Sequence, residues 1–168
     1  MATVTLDGKP AKTIGNIPEI GSKAKNFTLT ATDLSTKTLE DFENSKVILN
    51  IFPSVGTGVC SAAVRAFNEK ASSLQNAKVL CISKDLPFAQ KQFCAAEGLN
   101  NVIMLSDFKT TSFGKDYGVL LEGSAFDGLL ARCVIVLNKN REVVYTELVS
   151  EIGNEPNYNA AVEALNNA

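Results

Sequence analysis

The chain has 168 residues, 45% of them hydrophobic and 20% charged, enough to bury a core as one domain without metals or disulfide staples. A net charge of −2 with scattered basic residues lacks the electrostatic footprint of a nucleic-acid or anionic-membrane binder, and no run approaches the ~20 apolar residues of a bilayer span. The absence of histidine excludes zinc held through imidazole, and four cysteines with no CxxC pair argue against zinc held by paired thiolates, so neither a metal nor a cofactor is expected.

Met1 to Asp7 lacks the basic start and apolar core of a signal peptide, so a cytoplasmic location is expected. Thr3 to Leu6 alternates, Asp7-Gly8 signals a tight turn and Pro10 to Ile14 can return, predicting a β-hairpin over about residues 1–15. Gly15 to Lys25 is an irregular connector. Phe27 to Ala31 reads as a short strand, and Lys37 to Phe42 leads into the next element. Val47 to Phe52 is nearly continuous in apolar residues, as in a strand buried on both faces.

Cys60 to Leu74 is predicted helical, with Cys60, Val64, Phe67, Ala71 and Leu74 spaced by three and four. Ala77 to Ser83 is a second buried strand. Asp85 is placed to N-cap a helix with Pro87 in its first turn and its end at Gly98. Val102 to Leu105 is a third strand, Ser112 to Tyr117 a short helix and Leu121 to Leu130 a glycine-bearing loop. Arg132 to Leu137 and Glu142 to Val149 form two strands about the turn Asn138-Lys139-Asn140, and a helix over Asn157 to Asn166 follows. This order predicts an α/β fold with a mixed central sheet flanked by helices.

Chemistry concentrates where the strand ending at Phe52 passes through Pro53-Ser54-Val55-Gly56-Thr57-Gly58-Val59 into Cys60. A helix N-terminus carries partial positive charge and unpaired N–H groups, and both favour negative charge on sulfur. Open α/β sheets also bind ligands at this carboxyl edge. Cys81 and Cys133 lie inside apolar strands and read as small buried residues. Arg132 heads a strand whose period of two sets Arg132, Val134 and Val136 on one face and Cys133, Ile135 and Leu137 on the other. It either reaches solvent or, if neighbouring strands bring it to Cys60, holds the thiolate with a permanent charge. Arg65 points differently from Cys60 and reads as a surface residue. Cys94 sits one residue round from the inward-facing Phe93, and its spacing fits core filler as well as a reactive thiol.

Ionisation alone is a small lever. A thiol of pKa ~8.5 is already a few per cent thiolate at neutral pH, so complete ionisation gains only ~30-fold. Positioning and charge stabilisation must supply the rest: Thr57, the N–H groups around Cys60 and a guanidinium suit two adjacent oxygens, with Pro53 excluding water. Without histidine to protonate a poor leaving group, a weak bond such as a peroxide O–O is favoured.

Pro53, Thr57 and Cys60 fill a Pro-x-x-x-Thr-x-x-Cys pattern that resembles the active-site motif of peroxiredoxins. The segments Cys81 to Gln90, Phe93 to Val102 and Gly128 to Arg132, with the N-terminal hairpin, resemble the bacterial thiol peroxidase subfamily over nearly the whole chain. The resemblance implies a thioredoxin-like fold, Cys60 as peroxidatic cysteine, Cys94 as resolving cysteine, and Pro53, Thr57 and Arg132 completing the pocket. It further implies a homodimer, thioredoxin as reductant and a preference for alkyl hydroperoxides. Gly56 departs from it, since the subfamily usually carries Asp there. Because Cys60 opens one helix and Cys94 lies inside the next, a disulfide between them requires both regions to unwind.

A cysteine phosphatase needs Cys-x5-Arg, but Cys60 and Arg65 enclose only four residues, with Ala66 in the required place. A peroxide-sensing switch that uses the same cysteine without turnover is the alternative. Leu121, Phe126 and Leu130 are candidates for an apolar substrate rim, or for plain packing or a dimer contact.

Overall fold

In the computed structural model, which describes residues 1–168, the hairpin forms from Thr3–Leu6 (β1) and Lys9–Thr13 (β2). Asp7 and Gly8 at its tip both take positive φ, the turn that Asp-Gly accommodates with least strain. Thr28–Ala31 (β3) and Thr36–Thr38 (β4) follow, then a 3₁₀ turn over Leu39–Phe42 and the apolar strand Lys46–Ile51 (β5). Next come Gly58–Ala71 (α1), Ala77–Ser83 (β6), Pro87–Glu97 (α2), Ile103–Ser106 (β7) and Ser112–Asp116 (α3). Leu121–Glu122 (β8), Cys133–Leu137 (β9), Val143–Leu148 (β10) and Tyr158–Asn166 (α4) complete the chain.

Seven strands make a mixed sheet in the order β10-β9-β5-β6-β7-β3-β4, parallel between β5, β6 and β7 and antiparallel elsewhere. The near-continuous apolar run of β5 places it inside this sheet, covered on both faces. Val47, Leu49 and Ile51 join one apolar cluster; Ile48 and Phe52 join the other. The first cluster is closed by Val4 and Ala11 of the hairpin and by Phe27, Phe113 and Tyr117. The second lies beneath α1, α2 and α4, where fully buried Phe67 meets Tyr158 edge-on at 5.2 Å. Truncating Phe67 to Ala would cost about 3–5 kcal/mol. No helix is long and apolar enough to cross a membrane.

Three local readings are corrected. Helix α1 opens at Gly58 with Thr57 as N-cap, two residues ahead of Cys60. Asp85 does not cap α2: Leu86 occupies that position, and the Asp85 carboxylate turns back to the segment before α1. The loop after Leu120 contains β8, which pairs with β2 and widens the hairpin to a three-stranded sheet. Two residues are too few for alternation to show. The predicted end of α2 stands, with Gly98 left-handed at φ 68°.

Candidate active site

The site forms where β5 ends. Ile51 pairs with Cys133 of β9, so the next residues outward, Phe52 and Arg132, emerge together at the carboxyl edge of β5. Phe52 N–H still donates to Ile82 O at 3.1 Å, and Pro53 is buried behind it, so the chain enters the turn from a fixed direction. Within the turn Thr57 donates twice to Ser54 O, from N–H and from Oγ1, each at 3.2 Å. Helix α1 makes its first backbone bond from Ser61 N–H to Thr57 O. The N–H groups of Gly58, Val59 and Cys60 therefore remain without an acceptor in the chain, as first-turn geometry dictates.

Arg132 is 2% exposed and each of its nitrogens has a different role. Nη2 donates to Cys60 Sγ at 3.1 Å, and Nε donates to Ile152 O at 2.8 Å. Nη1 has no partner in the chain. The period-two reading of β9 holds: Val134 and Val136 join the cluster of Cys60, while Cys133, Ile135 and Leu137 face the other. Thr57 and Arg132 line a cleft of about 190 Å³, walled by Leu6 and Asp7 of the hairpin and by Phe126. Cys60 itself has no solvent exposure, so its sulfur sits within the protein against Arg132 and not on the open surface. A cysteine sulfur against a guanidinium, beside a helix N-terminus and a spare N–H donor, is placed to attack an electrophile where donors can hold the charge that leaves.

Cys94 is half-buried on α2 and packs against the same apolar cluster as Cys60. It also opens on a separate cleft of about 340 Å³ with Lys91, Leu99 and Val102. Burial pushes its thiol up from the ordinary value. Burial likewise raises Cys81, to about 12, and Cys133, which suits inert core residues. All four cysteines are free thiols. Arg65 is exposed and pairs with Glu97 at 3.5 Å, away from Cys60.

The redoxin family profile matches residues 19–162. The chain is 52% identical over 166 residues to the thiol peroxidase of Corynebacterium glutamicum, covering 99% of this chain and 100% of that one. It is also 52% identical over 165 residues to the thiol peroxidase of Mycobacterium tuberculosis, covering 98% and 99%. The chain belongs to the thiol peroxidase subfamily of the peroxiredoxins. A peroxiredoxin-like protein from Aquifex aeolicus superposes with a TM-score of 0.94 at 35% identity, covering 99% of this chain and 97% of that one. The thiol peroxidase from Chromobacterium violaceum shares the fold, at a TM-score of 0.90 and 22% identity over 98% and 95% of the two chains. The mixed sheet with its flanking helices is thus the thioredoxin-like peroxiredoxin fold.

Within this peroxiredoxin frame, two features escape the sequence. The Ile152 carbonyl that orients Arg132 is a backbone group and carries no side-chain signal. The hairpin wall formed by Leu6 and Asp7 depends on docking of distant segments. Of the three apolar rim candidates only Phe126 lines the cleft. Leu121 and Leu130 are buried in the core.

Proposed function

We propose that the chain is a thiol-dependent peroxidase that reduces hydrogen peroxide and organic hydroperoxides, recycled by thioredoxin in the cytoplasm and working as a homodimer. The single observation that carries this reading is the Arg132 Nη2–Cys60 Sγ contact of 3.1 Å beside the unpaired N–H groups of α1. The names of its relatives add to it.

Cys60 thiolate attacks the distal peroxide oxygen. An S–O bond forms, the O–O bond breaks with both electrons passing to the alkoxide or hydroxide, and that group takes up a proton. Arg132 and the N–H groups hold the two oxygens in line, Thr57 borders them, and Pro53 excludes water. The Cys60 sulfenic acid then condenses with the Cys94 thiol, giving a disulfide and water. Since Cys60 is buried and Cys94 lies inside α2, both regions unwind to meet. Unwinding also relieves the burial that keeps the Cys94 thiol protonated. An external dithiol restores both cysteines by exchange.

Peroxide treatment and mass mapping test the pairing, and a Cys60–Cys94 link is expected. A stable Cys60 sulfenate, or a link to Cys81, overturns it. A redox sensor built on the same residues would react once and stall. Sustained turnover with thioredoxin separates the two.

A further inference from the structure

The turn ahead of Cys60 has no acidic residue of its own between Pro53 and Cys60. Its order comes from across the sheet edge. Asp85, in the link between β6 and α2, accepts from Ser54 Oγ at 2.6 Å and from Val55 N–H at 2.9 Å. Ser54 Oγ in turn accepts Gly56 N–H at 3.1 Å. A Cβ on Gly56 would meet only Ser54 Oγ, at 3.4 Å, so the backbone there does not demand glycine. The carboxylate also accepts from Ser83 Oγ at 2.6 Å, and the Asp85 carbonyl accepts from the Ser106 hydroxyl.

The chain of bonds continues into α2. Gln90, fully buried and one turn before Cys94, donates Nε2 to Ser83 Oγ at 3.1 Å and to Leu105 O at 3.0 Å. An unbroken path of polar contacts thus runs from Ser54 and Val55 through Asp85 and Ser83 to the helix carrying Cys94. The two cysteine regions share one anchor.

We propose that Asp85 is a positioning residue that latches the Cys60 turn to the start of the Cys94 helix, so that release of its hydrogen bonds sets the rate at which the two cysteines meet. This rests on the peroxidase reading above. The closed latch serves attack on peroxide, which needs Thr57, Cys60 and Arg132 in register. The open latch serves condensation of Cys60–SOH with Cys94–SH to a disulfide and water. While the latch stays closed, the sulfenate can meet a second peroxide, which transfers one oxygen to sulfur, gives Cys60 sulfinate and leaves as alcohol or water.

Asp85→Asn keeps the side chain's size but removes the charge and turns an NH₂ toward donors. It is expected to slow peroxide reduction by about 10- to 100-fold through misplacement of the turn. Disulfide formation should quicken by about tenfold, as loss of a charge-assisted hydrogen bond shifts the opening equilibrium. Ser54→Ala removes one arm only and should move both rates in the same directions by less. It carries the test if Asp85→Asn fails to fold.

Rapid-quench intact mass spectrometry across a range of peroxide concentrations reads the partition of Cys60 between disulfide and sulfinate. Asp85→Asn should need at least about tenfold more peroxide to reach half sulfinate, and Ser54→Ala a smaller multiple. An unchanged partition, or disulfide formation slowed in step with peroxide reduction, overturns the latch and leaves Asp85 a merely structural group. In the wild-type protein, a Cys60 sulfenate that forms without any Cys60–Cys94 disulfide overturns the pairing and with it the latch, whereas Cys60 left unoxidised by peroxide overturns the peroxidase reading itself.

Discussion

Arg132 holds the site through a division of labour that lysine cannot reproduce. Its Nε is tied to Ile152 O, its Nη2 to Cys60 Sγ, and its Nη1 has no partner in the chain. Lysine has one nitrogen on a flexible stem and cannot serve both fixed partners at once. In Arg132→Lys we expect sulfenate formation to slow about 100-fold while circular dichroism stays native, measured by stopped flow with hydrogen peroxide. An unchanged rate would move the weight of catalysis to the helix N-terminus. Pro53, Thr57 and Cys60 were legible because they lie within one turn of chain. Arg132 was legible only as to face, since the contact spans 72 positions and depends on which strand neighbours β5. Asp85 was misread because an acidic residue just before Pro87 looks like a cap, whereas its bonds to Ser54 and Val55 reach back 31 and 30 positions.

At the level of elements, one carboxylate ties down the tip of the hairpin that walls the cleft, beside the backbone bonds between Thr5 and the 150–152 segment. Glu151 accepts from Thr5 Oγ1, from the N–H groups of Asp7 and Gly8 at the hairpin tip, and from Gly153 N–H. These donors, the Thr5 hydroxyl first, hold its carboxyl down from 4.5 to about 2. A depressed folded value means that this anchorage is complete above the ordinary value and is lost as pH falls through about 2. Glu151→Gln should therefore speed amide hydrogen exchange at Asp7 and Gly8 at neutral pH and remove the acid step in their protection. Because Leu6 and Asp7 border the cleft, KM for a bulky organic hydroperoxide should rise several-fold, with little change for hydrogen peroxide. Unaltered exchange would detach Glu151 from the hairpin. The hairpin was legible from Asp7-Gly8, but its third strand, only Leu121–Glu122, was not.

Across the whole molecule, burial sets how the thiols answer to pH. Cys81, Cys94 and Cys133 are all raised above the ordinary thiol value of 9.0 because the folded interior disfavours thiolate. Raised folded values stabilise the native state below pH 9.0 and lose that contribution as pH climbs, so Tm should fall steadily on the alkaline side. The slope should shrink in Cys81→Ala, read by calorimetry between neutral pH and the value of about 12 that Cys81 reaches. In the proposed cycle the same burial keeps the Cys94 thiol quiet until α2 opens. Everything in this account begins with Cys60 as the attacking group. Its most direct test is stopped-flow consumption of hydrogen peroxide and of a bulky organic hydroperoxide by the wild-type protein and by Cys60→Ser. We predict rapid consumption by the former and none above background by the latter, whereas undiminished consumption by Cys60→Ser would contradict the account at its root.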